Sequence, residues 1–201
     1  MGTLLGLSAL CLAGALACAM LGAHLLGESV ADKVTRLQIV AHSDSEADQA
    51  LKLAVRDRVL AITSRVTADC RNADEAEARL AAALPEIGAA AQETVYACGR
   101  VYPARVSLGR TGYPFRDYGS FALPAGEYTA LRVVLGDGLG HNWWCVAFPS
   151  LCEPAAAVDE RARAAGFSPG EIAFIRSDGA KGRFFLVDLW QRLFRSFPTD
   201  L

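Results

Sequence analysis

The sequence predicts an α+β fold, in which a single small domain lies behind an N-terminal membrane-targeting helix. We expect two N-terminal helices, a mostly antiparallel sheet and a C-terminal helix. Three observations predict this arrangement. The first 27 residues carry no charged side chain. Two segments with helical spacing of apolar residues follow. Beyond residue 94 the chain turns to short runs rich in Tyr, Val, Gly and Pro, which are typical of strands and turns.

The segment 1–27 is long enough to cross a bilayer as a helix, since about 20 apolar residues suffice. Ala15-Leu16-Ala17 and Ala17-Cys18-Ala19 both fit the small-x-small pattern of a secretory cleavage site. A cleaved signal peptide and an uncleaved anchor are both compatible with this segment, and its length favours the anchor. In either case we expect the chain after Glu28 to leave the cytoplasm, so residues 28–201 form one exported domain.

The stretch "RLQIVAHSDSEADQALKLAVRDRVL", residues 36–60, predicts a strand, a tight turn and a helix. Apolar residues alternate with others in the strand. His42, Ser43 and Asp44 form the turn, and Ser43 with Glu46 predicts a capping box at the start of the helix. An apolar stripe then continues for five or six turns along one helical face, at Leu51, Val55, Val59, Ile62 and Val66.

A second helix is predicted over residues 73–94, with a kink or restart at Pro85. Three runs then read as strands: "RVYPARVSLG", "EYTALRVVLG" and "WWCVAFP". The glycine-rich segment between the second and third predicts a hairpin with its tip at residues 137–141. Residues 153–182 predict a surface excursion or short helix. A last strand over 184–187 and a helix after Asp188 complete the chain.

Six cysteines are present, and Cys11 and Cys18 lie in the apolar segment, where they act as small hydrophobes. The other four predict two disulfides in an exported domain. Four cysteines allow three pairings. We favour Cys145 with Cys152, which closes a short loop, and Cys70 with Cys98 then follows by elimination.

Catalytic interpretations centre on Cys145, for which His141 could act as a base. A disulfide is the favoured interpretation, because an exported cysteine with a second one nearby is usually oxidised. A zinc site built from Cys145, Cys152 and His141 matches no familiar ligand spacing. The sequence has no phosphate-binding loop, and its net charge of -2 argues against a nucleic-acid partner. We predict no enzyme activity, cofactor, metal or small-molecule substrate.

Trp143 and Trp144 are adjacent in a predicted strand, so their side chains point to opposite faces. One of them could then enter the core while the other faces a partner protein, because Trp is enriched in binding hot spots. The alternative is that both are covered. Partner-contact candidates are therefore His141, Asn142, Trp143 and Trp144.

The first stretch, the segment "YGSFALPAGEYTALRVVLGDGLGHNWWCVAFPSLC" and the terminal "VDLWQRLF" resemble the stage II sporulation protein R family. The resemblance implies export from the forespore into the intermembrane space. There such a protein activates a membrane-embedded aspartic protease of the mother cell, stage II sporulation protein GA, which processes the precursor of sigma factor E. It also implies that Asn142 to Cys145 and Cys152 shape a binding surface, whereas His42 to Asp44 shape a turn. An exported thiol hydrolase or redox enzyme using Cys145 and His141 is the alternative, and a module that binds cell-wall glycan is a third.

Overall fold

A computed structural model describes residues 2–152 and 157–176 of the chain. The predicted α+β class is confirmed, with a long apolar helix at the N-terminus. The predicted last strand and C-terminal helix lie outside the described residues. The helices and strands, in chain order, are α1 Gly2–Ala31, β1 Thr35–Val40, α2 Glu46–Thr67, α3 Ala73–Ala97, β2 Ala104–Tyr113, β3 Arg116–Asp117, β4 Ala122–Leu123, β5 Gly126–Leu135, β6 Asn142–Phe148, α4 Val158–Ala164 and α5 Pro169–Ile175.

The main sheet has the order β2-β5-β1-β6 and is mostly antiparallel, as predicted. β1 pairs parallel with β5 and antiparallel with β6. The predicted hairpin between β5 and β6 is therefore wrong, because β1 lies between these two strands. The local glycine-rich sequence is that of a tight connection, but it cannot reveal that a strand from 100 residues earlier takes the central place. β5 pairs instead with β2 across the loop that contains the β3–β4 ribbon.

One face of the sheet packs against α2 and α3. The predicted apolar stripe of α2 meets Leu37 and Ile39 of β1 and the inward residues of β5 in one buried cluster. α3 contributes Leu80 and Ile87 to the same cluster and runs through Pro85 without a break. β1 is buried on both faces, which fits its central position.

The N-cap of α2 lies two residues after the predicted one, Ser43. Ser45 is the N-cap, and its hydroxyl accepts a hydrogen bond from the Asp48 N–H at 3.2 Å. The predicted capping box of Ser43 with Glu46 is wrong, because the chain is still bending at Ser43. Ser45 and Asp48 have the same three-residue spacing as Ser43 and Glu46, so the sequence contains two possible N-caps for this helix.

The opposite face of the sheet is covered at one end by the last turns of α1, the loop at 114–125, and α4 with α5. Phe121, Tyr128 and Leu151 are fully buried there. Part of the segment predicted as a surface excursion or short helix thus forms two short helices. Their apolar residues, including Ile172 and Ile175, complete this second core.

Candidate functional site

Two turns that are distant in the sequence pack together beside the end of β6. The turn after β1 offers the carbonyl oxygens of Ala41 and His42, which accept hydrogen bonds from the Gly140 and Leu139 N–H groups at 3.0 and 3.1 Å. The Asp137 N–H donates to His42 Nδ1 at 3.0 Å. The two segments that carry the family resemblance therefore form one structure, and His42 lies in the first of its turns.

The glycines of the second turn are required by this packing. A Cβ atom at Gly140 would lie 2.3 Å from the Ser43 carbonyl oxygen. At Gly136, which has φ +55°, a Cβ would lie 2.3 Å from His42 Nδ1. No side chain larger than the hydrogen atom of glycine fits at either distance. The glycine-rich sequence thus reflects close contact between the turns as well as backbone freedom.

Asp48, in the first turn of α2, lies beneath the turns and organises them. Its carboxylate accepts hydrogen bonds from Ser43 Oγ at 2.5 Å and Tyr102 Oη at 2.8 Å. Arg100 Nε is 3.4 Å away. The hydrogen bond from Ser43 contributes most to lowering the pKa of Asp48, and burial opposes it. Burial, followed by the bond to Asp48, raises the pKa of Tyr102 to about 12.

His141 is tied to the first turn and is remote from Cys145. Its backbone N–H and its Nδ1 both contact Asp44 Oδ1, and the Lys52 ammonium donates to its carbonyl oxygen at 3.0 Å. The hydrogen bond from the His141 N–H is the main cause that lowers the pKa of Asp44. Cys145 is four residues further along an extended strand, about 13 Å away. The alternative in which His141 acts as the base for a nucleophilic Cys145 is therefore wrong.

Trp143 and Trp144 lie on opposite faces of β6, and both are partly covered. Trp143 packs on the helical side, with the Arg56 guanidinium 5.5 Å from its ring centre. Trp144 meets Tyr113 edge-on at 5.1 Å and Arg116 at 5.2 Å on the other side. Neither tryptophan is fully exposed, which agrees better with the alternative that both are covered.

Among residues 2–152 and 157–176, β6 is an edge strand of the sheet, and a groove of about 340 Å³ runs between it and α2. The groove is mainly apolar; its lining includes Leu60, Ala61, Trp143, Cys145 and Cys152. At one end of β6, Leu139 is 81% exposed beside the exposed His141 and Asn142. The partner-contact candidates thus lie on or beside β6, with Trp143 on the helical side and Trp144 on the other side. Leu139 and Arg56 lie next to them, and no sequence pattern pointed to either residue. We call these six residues the β6 surface: Arg56, Leu139, His141, Asn142, Trp143 and Trp144.

The four cysteines outside α1 divide into a close pair and two distant residues. Cys145 and Cys152 lie beside each other, and their thiols are hydrogen-bonded. The predicted disulfide between them stays a prediction. Cys70 precedes α3 and Cys98 is its C-cap. A helix of 25 residues is about 37 Å long, whereas disulfide-bonded Cα atoms lie within about 7 Å. The predicted Cys70–Cys98 disulfide is therefore wrong.

The C-terminal part of α1 is packed onto the domain. Met20, His24 and Gly27 are buried at helical spacing. Beyond them, Ser29 Oγ and Lys33 Nζ donate to the Glu171 carboxylate at 2.5 and 2.8 Å. Residues Leu10–Ala31 are long and apolar enough to cross a membrane, by length and composition. Within residues 2–152 and 157–176, no three His, Cys, Asp or Glu side chains are grouped to hold a metal ion.

Comparison with known proteins agrees with these observations. A family model described as stage II sporulation protein R matches residues 31–157. The chain belongs to this family. The stage II sporulation protein R of Bacillus subtilis (strain 168) is 41% identical over 123 residues, which is 61% of this chain and 55% of that protein. The chain thus matches just over half the length of this relative. No solved structure matches it.

Proposed function

We propose that this chain is an exported signalling protein of endospore formation that activates the mother-cell aspartic protease, stage II sporulation protein GA. The protease would then process the precursor of sigma factor E. The observation that carries the proposal is the match to the family across residues 31–157, which includes β1, both turns and β6. The apolar α1, long enough to cross a membrane, supports export from the forespore to the intermembrane space.

The attachment of α1 supports action on a membrane-embedded partner. Only three residues, 32–34, separate α1 from the central strand β1. The Glu171 contacts fix the end of α1 to the domain, so an uncleaved α1 would hold the domain beside the membrane. Both cleavage patterns end by Ala19, just before the buried Met20. Cleavage there would release a domain that keeps the packed part of α1.

The β6 surface is the proposed contact. It combines two Trp side chains with Arg56, and these residue types dominate protein-binding hot spots. It also combines a strand edge that pairs with no other strand in the described part of the chain with an apolar groove, and an extended segment of a partner can bind such an arrangement. The packed turns hold this end of β6 in place, which reduces the entropy lost on binding.

Co-expression of the full chain, the protease and the sigma precursor in a non-sporulating host tests the proposal. Cleavage of the precursor, followed by gel electrophoresis, should require the chain. Trp143→Ala should reduce cleavage at least several-fold, because it removes the large aromatic contact over Arg56. Tyr96→Ala is the matched control, since Tyr96 is a 61% exposed aromatic residue on α3.

Each outcome has a defined meaning. Precursor cleavage that is independent of the chain, with all three proteins present and inserted, would refute the proposed function. Cleavage that depends on the chain but falls equally in Trp143→Ala and Tyr96→Ala would keep the function and reject the β6 surface as the contact. Circular dichroism of both variants shows whether the fold is retained.

A further inference from the structure

The close cysteine pair consists of Cys145 in β6 and Cys152 in the turn that follows this strand. Cys145 is buried against the helical side of the sheet, whereas Cys152 is exposed. Both line the groove beside α2. Cys152 is therefore the member of the pair that lies nearer to solvent, and Cys145 is buried beside it.

The turn that carries Cys152 is anchored on two sides. The Leu151 side chain is fully buried in the core. Arg161 Nη1 donates to the Ser150 carbonyl oxygen at 2.9 Å. Because the turn cannot drift away from β6, the two sulfur atoms remain at a high effective concentration relative to each other.

Three groups favour the thiolate of Cys152. The Cys145 thiol donates a hydrogen bond to its sulfur, and the Val146 N–H donates another at 3.3 Å. The third is Arg36, which is 1% exposed, pairs with Val146 in the sheet and carries its charge close to the turn. Arg36 lies between the Tyr113 and Tyr128 rings, and its Nε and Nη2 have no hydrogen-bond partner within the described part of the chain. A buried cation of this kind is stabilised by a nearby anion.

We propose that Cys152 and Cys145 form a thiol–disulfide exchange site that reacts with the disulfide of a small thiol compound. The Cys152 thiolate attacks one sulfur of that disulfide; a mixed disulfide forms and one small thiolate leaves. Cys145 then loses its proton to solvent and attacks Cys152 Sγ, and the second small thiolate leaves. Two protein thiols are oxidised to one disulfide, and the external disulfide is reduced to two thiols.

The thiol pKa values agree with this order of attack. The hydrogen bond from Cys145 is the largest cause that lowers the pKa of Cys152, ahead of the Val146 N–H and Arg36, while burial opposes them. The same hydrogen bond, followed by burial, raises the pKa of Cys145. Cys152 is thus the first nucleophile, and Cys145 can attack only once Cys152 has been consumed.

Oxidation of the reduced full chain in detergent by oxidised glutathione tests the proposal, with each cysteine assigned by peptide mass spectrometry. The unaltered chain should lose two thiols and gain a Cys145–Cys152 disulfide without retained glutathione. In the Cys145→Ser variant, a mixed disulfide between glutathione and Cys152 should accumulate. In the Cys152→Ser variant, no glutathione should be bound to Cys145. Cys98 is an exposed internal control in every sample.

A second measurement needs no variant. Alkylation of the reduced chain by iodoacetamide at pH 7 should modify Cys152 several-fold faster than Cys98, because more of Cys152 is thiolate. Equal rates and equal pH profiles for the two residues would overturn the proposal. Stable glutathione on Cys152 of the unaltered chain, or a first reaction at Cys145, would overturn it as well.

Discussion

Glu171 should contribute measurably to stability because it joins α1 to α5. Its carboxylate accepts hydrogen bonds from Ser29, Lys33 and the Ser168 N–H, and Glu171 is 3% exposed. Burial by itself would raise the pKa of Glu171, but the hydrogen bonds from Lys33, Ser29 and Ser168 outweigh it and lower the pKa from 4.5 to about 2. The perturbation we choose is Glu171→Gln, which removes the charge and keeps the shape.

The magnitude follows from the pKa. One pKa unit corresponds to about 1.4 kcal/mol, so the lowering of the Glu171 pKa corresponds to about 3 kcal/mol at neutral pH. The Lys33 side chain is 32% exposed, and solvent there screens part of the interaction. We therefore expect Glu171→Gln to reduce the free energy of unfolding by about 1–3 kcal/mol at pH 7.

The contribution of Glu171 to stability should fall as the pH is lowered. A lowered carboxyl pKa stabilises the fold above the unfolded pKa of about 4.5, and that stability is lost as pH falls toward the folded pKa of about 2. At about pH 3, the difference in the free energy of unfolding between the unaltered chain and Glu171→Gln should thus be less than half of its value at pH 7. Urea unfolding of the full chain in detergent, with the exposed Glu160→Gln as control, measures it. A difference that is equal at pH 7 and pH 3, or no larger than that of the control, would refute the reasoning.

Two further predictions concern the packed turns. Gly140→Ala should lower the free energy of unfolding by about 1–3 kcal/mol because its Cβ meets the Ser43 carbonyl oxygen; thermal unfolding measures it, and Gly109→Ala, with no heavy atom within 4 Å, should change stability by less than about 0.5 kcal/mol. Asp48→Asn should cost about 1–3 kcal/mol at pH 7, since its amide group would face a hydroxyl donor. The Asp48 pKa is lowered, so this loss should shrink below about pH 4. An equal loss in Asp57→Asn, at an exposed carboxylate, would contradict the role of Asp48.

Local sequence patterns predicted the elements that depend on local physics. Apolar periodicity alone located α2 and α3, because a helix that buries one face must repeat every 3.6 residues. The same reasoning identified the apolar α1 and the strand content of the second half. The capping residue was misplaced by two positions because Ser43 and Ser45 each have an acidic residue three positions later.

The candidate site was predicted only in part. Its residues stood out in the sequence, and the proximity of Cys145 and Cys152 followed from their short separation. Their surroundings did not, because Arg36 and Arg56 come from other elements that the fold brings to β6. The Cys70–Cys98 pairing failed for the same reason: elimination ignores the length of the helix between the two residues.

By itself, the sequence determined the family, the α+β class and the apolar N-terminal helix, since each follows from residue identity or from spacing within about 25 residues. Only the tertiary structure decided that β1 separates β5 from β6, and that Asp44 meets His141 from 97 positions away. Strand order depends on which apolar faces can be buried together across the whole chain. Contacts between residues so far apart in the chain produce no periodic pattern in a single sequence.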